Sequence, residues 1–180
     1  ATVRKLVLFP QQTGTLTIDG FDLVGYMRTS FFNGQNVTAE ADPVKIEVKP
    51  LPEPIPSDFI GAFGQLRVTP KQTGQACRTN EAITYDLTFS GQGNLKFIQE
   101  PALTWPGEFE VFDPEVIDQI RVNAGGESGS RTFRYVVIPR APGQYVLPVP
   151  TGAWFNTKVR DYANLDAAPL KLTVATNTSD

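Results

Sequence analysis

The sequence predicts an all-β protein, and three observations lead to that prediction. Apolar and polar residues alternate with a period of two in several segments, as in strands that bury one face. Val, Ile and Thr are abundant, and their branched side chains favour pleated strands. The 15 glycines and 15 prolines interrupt helices and supply many turns. We therefore expect an antiparallel β-sandwich with essentially no α-helix.

The clearest strand lies in residues 82–90. Ile83, Tyr85, Leu87 and Phe89 alternate with Ala and polar residues. Because successive strand side chains point to opposite faces, we expect these four to face the core together.

The remaining elements follow from shorter patterns. Residues 133–138 are mostly apolar on both faces and predict a central strand, and residues 143–149 predict its hairpin partner. Residues 114–120 fit a short helix nearly as well as a strand, and we favour the strand. Two further strands are predicted at 59–68 and 170–174. The core candidates among the phenylalanines are Phe59, Phe63, Phe89, Phe97 and Phe133.

Two blocks of the sequence occur twice in the same order. Residues 5–18 match residues 134–147 without a gap, and residues 43–48 match residues 169–174. The offset is 129 in the first block and 126 in the second, so the connections differ by three residues. Two unrelated hairpins that look alike would not explain this common order and spacing.

The repeat predicts the domain organisation. The second copy ends a unit that begins near Phe59, whereas the first copy has the same ending without that beginning. We expect residues 1–49 to be the C-terminal part of a truncated immunoglobulin-like domain. Residues 50–58, which carry proline at alternate positions, are expected to be a stiff linker. Residues 59–180 are expected to be a complete immunoglobulin-like sandwich, with a jelly roll as the alternative fold.

A truncated domain would expose an apolar face and an unpaired strand edge. Such an edge invites pairing with another chain, and a sheet of two or three strands is marginally stable alone. We therefore expect this fragment to dimerise through residues 1–49. The function would not depend on that dimer if the intact protein supplied the missing strands.

The composition excludes much catalytic chemistry. The absence of histidine removes Ser-His-Asp triads and histidine-bound zinc, and the single Cys77 removes intrachain disulfides. A net charge of −3 offers no electrostatic reason to bind nucleic acid or an anionic membrane. The apolar stretches are too short for a membrane-spanning helix. We expect no catalytic residue, no cofactor and no metal site.

Several segments have a functional and a structural interpretation. Asp113, Glu115 and Asp118 could offer oxygens to Ca²⁺, but they lack the pattern of a calcium loop, and a solvated acidic turn is favoured. Residues 125–130 resemble a phosphate-binding loop, but they lack its lysine and precede a strand, so a flexible hairpin loop is favoured.

The two tryptophans and the cysteine also have two interpretations. Trp105 and Trp154 lie near loop-like segments and are candidate interaction residues, although a lid over one end of the core is favoured. Cys77 lies in a turn-rich stretch beside Arg78, which could lower the thiol pKa. We expect Cys77 to be structural, because no second cysteine could resolve an oxidised thiol.

Five positions are expected to shape turns. Gly91 and Gly93 permit positive φ at the end of a strand, and Asn94 tolerates it. Pro139 is expected to stop ladder pairing, and Gly143 to complete the turn before the next strand.

Five motifs in order resemble the BatD oxygen-tolerance family, named for aerotolerance in Bacteroides. They are KPLPEPIPSDFIGAFGQL (49–66), LTFSGQGNLKFI (87–98), FEVFDPE (109–115), GSRTFRYVVIPRAPGQYVLP (129–148) and APLKLTV (168–174). The resemblance implies an exported protein with immunoglobulin-like domains in the periplasm, anchored to the inner membrane by a helix outside this sequence. It implies a non-enzymatic part of an envelope complex, with von Willebrand factor A-type and TPR-type partners.

The main functional hypothesis is therefore a BatD-type interaction module. The alternative is a carbohydrate-binding or adhesin-type sandwich, which would present an exposed aromatic platform beside polar side chains. An interaction module should instead show an apolar patch or an open sheet edge.

Overall fold

A computed structural model describes residues 6–20, 22–28, 34–74, 76–124 and 126–178, with only the backbone described for 22–28 and 34–40. Backbone contacts separate a unit at Leu8–Glu53 from a larger unit that contains Pro54–Asp180 and also the described residues before Leu8. The separation falls inside residues 50–58, the predicted linker. Strands dominate both units, and the described residues contain one 3₁₀ turn, Leu95–Phe97, and no α-helix. The prediction of an all-β fold is confirmed.

The smaller unit consists of two antiparallel strand pairs. Strand β1 (Gly14–Ile18) pairs with β4 (Val44–Val48), and β2 (Asp22–Arg28) pairs with β3 (Gly34–Glu40). Each pair forms a separate two-stranded sheet.

The larger unit contains ten strands in two sheets. One sheet has the order β13-β12-β5-β7-β10-β8, with β9 also paired to β10, and the other has the order β11-β14-β6. Two of the pairings, β12 with β5 and β14 with β6, are parallel, which departs from the expected all-antiparallel arrangement. The strands are β5 (Phe59–Gln72), β6 (Ala76–Arg78), β7 (Ile83–Gly93), β8 (Phe109–Val111), β9 (Glu115–Asn123), β10 (Gly126–Pro139), β11 (Gly143–Leu147), β12 (Ala153–Asn156), β13 (Asp161–Asn164) and β14 (Leu170–Ala175).

The core lies between these two sheets. Strand β7 buries the predicted face, since Ile83, Tyr85, Leu87 and Phe89 are all buried. The opposite sheet contributes buried residues to the same cluster, among them Leu172 of β14. Both layers therefore share one apolar interior, and the prediction of a two-layer sandwich is confirmed.

The phenylalanines divide into three groups. Phe89 and Phe133 are buried and meet edge to face, with ring centroids 5.8 Å apart. Phe59 and Phe63 on β5 are half-buried. The assignment of Phe97 to the core is wrong, because the 3₁₀ turn directs Leu95 inward and leaves Phe97 exposed.

The predicted hairpin between 133–138 and 143–149 is wrong. Strand β10 ends at Pro139, as expected, but β11 pairs with β14 in the opposite sheet. The Asn80 N–H donates to the Pro139 carbonyl oxygen at 2.8 Å, so another segment occupies the end of this strand. Crossing between layers lets Val137 and Leu147 enter the same core from opposite sides. An apolar pattern alone does not distinguish this crossing from a hairpin.

Residues 114–120 and 125–130 both contribute to strands. The favoured strand interpretation of the first segment is confirmed, since β9 begins at Glu115. The flexible loop predicted for the second is wrong, because β10 begins at Gly126 and continues through Ser130. Only two residues of the sequence separate the end of β9 from the start of β10.

Glycines allow the strands β5 and β7 to approach closely. Gly91 and Gly93 have φ values of 139° and 143°, and a Cβ on either would overlap a carbonyl oxygen of β5. Asn94 differs from the expectation, because its φ is −101°. Its side chain instead accepts from the Phe63 N–H and donates to the Gly61 carbonyl oxygen, both at 3.0 Å. Asn94 thus satisfies two backbone groups of β5 next to the glycines.

Candidate interaction surface

Strand β9 forms one edge of the larger sheet. Its nine residues pair with residues 126–134 of β10, and no strand in the described part of the chain pairs with its other side. An edge strand offers backbone N–H and C=O groups to a further strand. This edge is therefore a geometrically suitable place for an extended segment of a partner to add to the sheet.

The inward face of β9 carries Val116, Asp118, Ile120 and Val122, and its apolar members are only partly covered. Val116 lies directly opposite Phe133, yet Phe133 is buried and Val116 is 48% exposed. Ile120 packs against the core, and Val122 is exposed. The cover provided by the opposite three-stranded sheet therefore ends between β10 and β9. Apolar surface, interrupted by the Asp118–Arg131 ion pair, remains next to the open edge and is called the apolar strip below.

An ion pair holds β9 to β10. The Arg131 guanidinium donates to both carboxylate oxygens of Asp118, at 2.8 and 2.9 Å, and to the Ile98 carbonyl oxygen at 2.9 Å. The hydrogen bonds from Arg131 hold the pKa of Asp118 below its ordinary value, against the opposing effect of burial. The pair therefore couples the edge strand to the chain that follows the 3₁₀ turn.

A buried carboxylate supports the same region. Glu127 is buried and accepts from the Lys96 N–H at 3.3 Å, and the Lys96 ammonium lies 3.9 Å from its other oxygen. The contacts of Glu127 hold the 3₁₀ turn to β10, and the Asp118–Arg131 pair holds the edge strand β9 to β10. Prior ordering of an interface reduces the conformational entropy lost on binding.

The acidic segment does not gather into a metal centre. Asp118 uses both carboxylate oxygens on Arg131, and Asp113 and Glu115 precede it without forming a cluster. Among the described residues, no group of three or more potential ligands lies close enough to hold a metal ion.

The two tryptophans belong to the sandwich interior. Trp105 is half-buried and meets Tyr85 and Tyr135 edge to face, with centroid distances of 5.6 and 5.4 Å. Trp154 on β12 is buried in the core cluster. Its side chain therefore has little exposed area with which to contact a partner. Both rings contact the apolar core.

Cys77 lies in a different setting from the one expected. It is part of strand β6, which pairs with β14, and not of a turn. Burial raises the pKa of the thiol, and the charge of Glu81 raises it further. The net shift of the thiol pKa is therefore upward, against the lowering that Arg78 suggested. A thiol with a raised pKa forms less of the reactive thiolate.

Sequence reasoning missed the β9 edge as a candidate surface. The available signal is the spacing of Val116 and Ile120 within residues 114–120, for which the sequence favours a strand. That pattern does not say which strand ends the sheet, because strand order depends on pairings distant in sequence.

Comparison with known proteins gives one match. The family model described as BatD DUF11 like domain matches residues 69–174, which is more than half of the chain and extends from β5 to β14. No curated protein and no solved structure matches the chain. No helix among the described residues is long and apolar enough to cross a membrane. The matched sandwich shows that this chain belongs to the BatD family, whose members are generally associated with the cell envelope.

Proposed function

We propose that the chain is a non-enzymatic, exported interaction module of a BatD-type stress-tolerance protein. It works in the periplasm within an envelope protein complex and is held at the inner membrane by segments outside this chain. Its partners are other envelope proteins, with von Willebrand factor A-type and TPR-type proteins as the first candidates. Family membership supports this setting.

The open β9 edge is the observation that carries the interaction role. A partner segment in extended conformation would pair with the backbone of residues 115–123, and this supplies affinity without a preformed pocket. Its apolar side chains would cover Val116 and Val122, while Asp118 stays paired with Arg131. The edge thus combines directional hydrogen bonding with apolar burial.

The alternative function as a carbohydrate-binding or adhesin-type sandwich needs an exposed aromatic platform. Trp154 is buried in the core, and the half-buried Trp105 packs edge to face against Tyr85, so neither ring provides such a platform. This alternative becomes one outcome of the test below.

The test uses the intact protein in its native membranes. A photo-crosslinking amino acid is placed at Val116, and a control is placed at Thr69, which is exposed on β5. We expect a discrete cross-linked protein from Val116 and none from Thr69. Equal cross-linking at both positions, or none at either, would contradict the proposal.

A charge scan separates the two functions. Val122→Lys should abolish the cross-linked complex and reduce aerotolerance at unchanged protein level, because it places a charge on the apolar strip. Thr69→Lys is the matched control and should have no effect. If Val122→Lys leaves the complex intact while a glycan array shows binding, the carbohydrate-binding alternative is supported instead.

A further inference from the structure

The outward face of β9 carries opposite charges near its two ends. Because strand side chains alternate, Glu115 and Arg121 lie on this face, whereas Val116 and Val122 lie on the inward face. Both charged residues are exposed, and neither takes part in an ion pair within the described part of the chain. A segment that adds to this edge therefore meets a carboxylate near the start of β9 and a guanidinium near its end.

The neighbouring strand leaves these two charges available. Arg134 lies opposite Glu115, but its guanidinium already donates to both carboxylate oxygens of Asp86, each at 3.0 Å. Ser128 lies opposite Arg121, so β10 offers no carboxylate at that position. Opposite charges directly across two strands stabilise a sheet, and like charges destabilise it. The outward face thus favours an acid beside Arg121 and a base beside Glu115.

A polar depression with a volume of about 580 Å³ lies beside Arg121. Its lining comes from facing residues of β9 and β10, namely Gln119, Ile120, Arg121, Ser128, Gly129 and Ser130. The Asn123 side-chain amide donates to the Ser128 hydroxyl oxygen at 2.7 Å, so the hydroxyl hydrogen can be donated to another acceptor. A carboxylate in this depression would accept from the guanidinium and from a hydroxyl together, and hydrogen bonds between charged groups are the strong ones in proteins.

The inward face requires a different pattern from the added segment. Val116 and Val122 are 48% and 40% exposed, so apolar side chains beside them would remove further apolar area from water. Asp118 accepts from Arg131 with both carboxylate oxygens. A base beside Asp118 would compete with Arg131, and an acid there would meet a like charge. A small uncharged residue fits this central position.

We propose that the β9 edge receives an extended segment of another protein, which runs antiparallel to β9 and complements it position by position. From its N-terminal end, this segment has an apolar residue opposite Val122, an acid opposite Arg121, a small uncharged residue opposite Asp118, an apolar residue opposite Val116 and a base opposite Glu115. The antiparallel direction is favoured because it is slightly more stable per residue than parallel pairing. This assignment rests on the proposed interaction role of β9 and adds the chemistry of the segment that binds there.

A second copy of β9 matches the charges but not the centre of the strand. In the antiparallel register that brings Glu115 of each copy to Arg121 of the other, Asp118 lies opposite Asp118. Two carboxylates would then face each other across the new ladder, and like charges directly opposite are destabilising. A segment with an uncharged residue at that position avoids this cost.

Peptide binding to the isotope-labelled 180-residue chain, followed by nuclear magnetic resonance, tests the proposal. All proteins carry Ile46→Lys, which places a charge on the apolar face of the sheet β1–β4 and suppresses association through it. The probe is Ile-Glu-Val-Thr-Ser-Thr-Val-Lys. The control, Ile-Thr-Val-Glu-Ser-Lys-Val-Thr, has the same composition with both charges moved to the central outward positions.

We expect the probe to shift the amide resonances of residues 115–123 and to bind at least about fivefold more tightly than the control. A spin label at the N-terminus of the probe should broaden resonances near Val122 and not those near Glu115, as antiparallel pairing requires.

A charge reversal in the chain gives a second measurement. Arg121→Glu should weaken binding of the probe by at least about fivefold, and a lysine in place of the glutamate of the probe should restore it. Arg67→Glu, the same change at an exposed position of β5, is the matched control and should leave binding unchanged.

The other outcomes separate this proposal from the interaction role of the edge. Equal binding of probe and control at β9, or no binding of either while Val116 still gives a cross-linked partner, would overturn the charge pattern and leave the interaction role standing. Broadening near Glu115 would overturn the antiparallel direction. Shifts of β9 resonances that grow with the concentration of the chain alone would assign the edge to a second copy and overturn the proposal. Loss of both peptide binding and cross-linking would overturn the proposal and the interaction role together.

Discussion

The strand pairs β1–β4 and β11–β14 can be aligned position by position, yet Ile46 is exposed where Leu172 is buried. Both pairs alternate apolar and polar residues, and both join Gly to Val at one end of the ladder. The difference lies outside the pairs, in the sheet that covers one of them. Local pattern therefore decides strand and register, whereas burial depends on a layer supplied from elsewhere in the sequence.

The largest expected effect contrasts the equivalent positions Leu172 and Ile46. Leu172→Ala should lower the free energy of unfolding of the larger unit by about 2–5 kcal/mol, because it leaves a cavity in a packed core. Ile46→Ala in the 180-residue chain should cost at most about 1 kcal/mol, because the side chain is already partly exposed. Urea denaturation followed by tryptophan fluorescence measures the first, since both tryptophans lie in the larger unit. Amide hydrogen exchange of β4 measures the effect of Ile46→Ala. Similar losses of stability at the two sites would contradict the inference that Leu172 is covered and Ile46 is not.

The next effect compares glycines in the two units. Gly93→Ala should destabilise the sandwich by at least about 2 kcal/mol, because a Cβ would overlap the Phe63 carbonyl oxygen at a φ of 143°. Gly14→Ala should cost only about 1 kcal/mol of backbone strain, because a Cβ there meets nothing within 4 Å. Thermal melts of the two variants beside the parent chain measure the difference. A neutral Gly93→Ala would show that the close approach of β5 and β7 can relax.

A third effect concerns self-association of the 180-residue chain. We expect weak dimers, with a Kd on the order of 10 µM or higher, because the uncovered face of β1–β4 is apolar but small. Ile46→Lys should return the chain to a monomer, whereas Thr17→Lys on the opposite face of the sheet should not. Sedimentation velocity over a concentration series measures this. A chain that stays monomeric at high concentration would contradict the expected dimer.

A smaller effect is expected from the Asp118–Arg131 ion pair in the larger unit. The folded-state pKa of Asp118 is lowered, so the stability due to the pair is complete above the unfolded pKa of about 3.9. It is lost as the pH falls through the lower folded-state pKa. Asp118→Asn should make the free energy of unfolding of the larger unit depend less on pH in this range. The expected difference is less than about 1 kcal/mol. Denaturation at a series of pH values tests this, and Arg131→Gln should flatten the same part of the curve.

The smallest effect is expected at Cys77. Cys77→Ser should leave aerotolerance unchanged at equal protein level, because burial and Glu81 raise the thiol pKa and disfavour the thiolate. Growth after oxygen exposure measures this, with immunoblotting as the control for protein level. A loss of tolerance would make Cys77 functional despite its setting in β6.

The accuracy of the sequence predictions follows the range of the interactions involved. The alternation in 82–90 predicted the buried face of β7 correctly, because strand side chains alternate whatever the neighbours are. The hairpin assigned to 133–149 failed, because Pro139 ends a strand without saying which sheet receives the next one. The prediction that Phe97 lies in the core failed for a related reason. Hydrophobicity alone does not reveal that a 3₁₀ turn buries Leu95 and leaves Phe97 exposed.

By itself, the sequence determined the all-β class, the two repeated blocks and the apolar face of each repeated strand, because these depend on local periodicity and spacing. Only the tertiary structure decided that β11 joins β14 and that β9 ends its sheet with Val116 exposed beside the buried Phe133. It also decided that the apolar face of β11–β14 is buried, whereas that of β1–β4 is partly exposed. The physical reason is that pairing and burial are made between segments far apart in sequence, so no local window contains both partners.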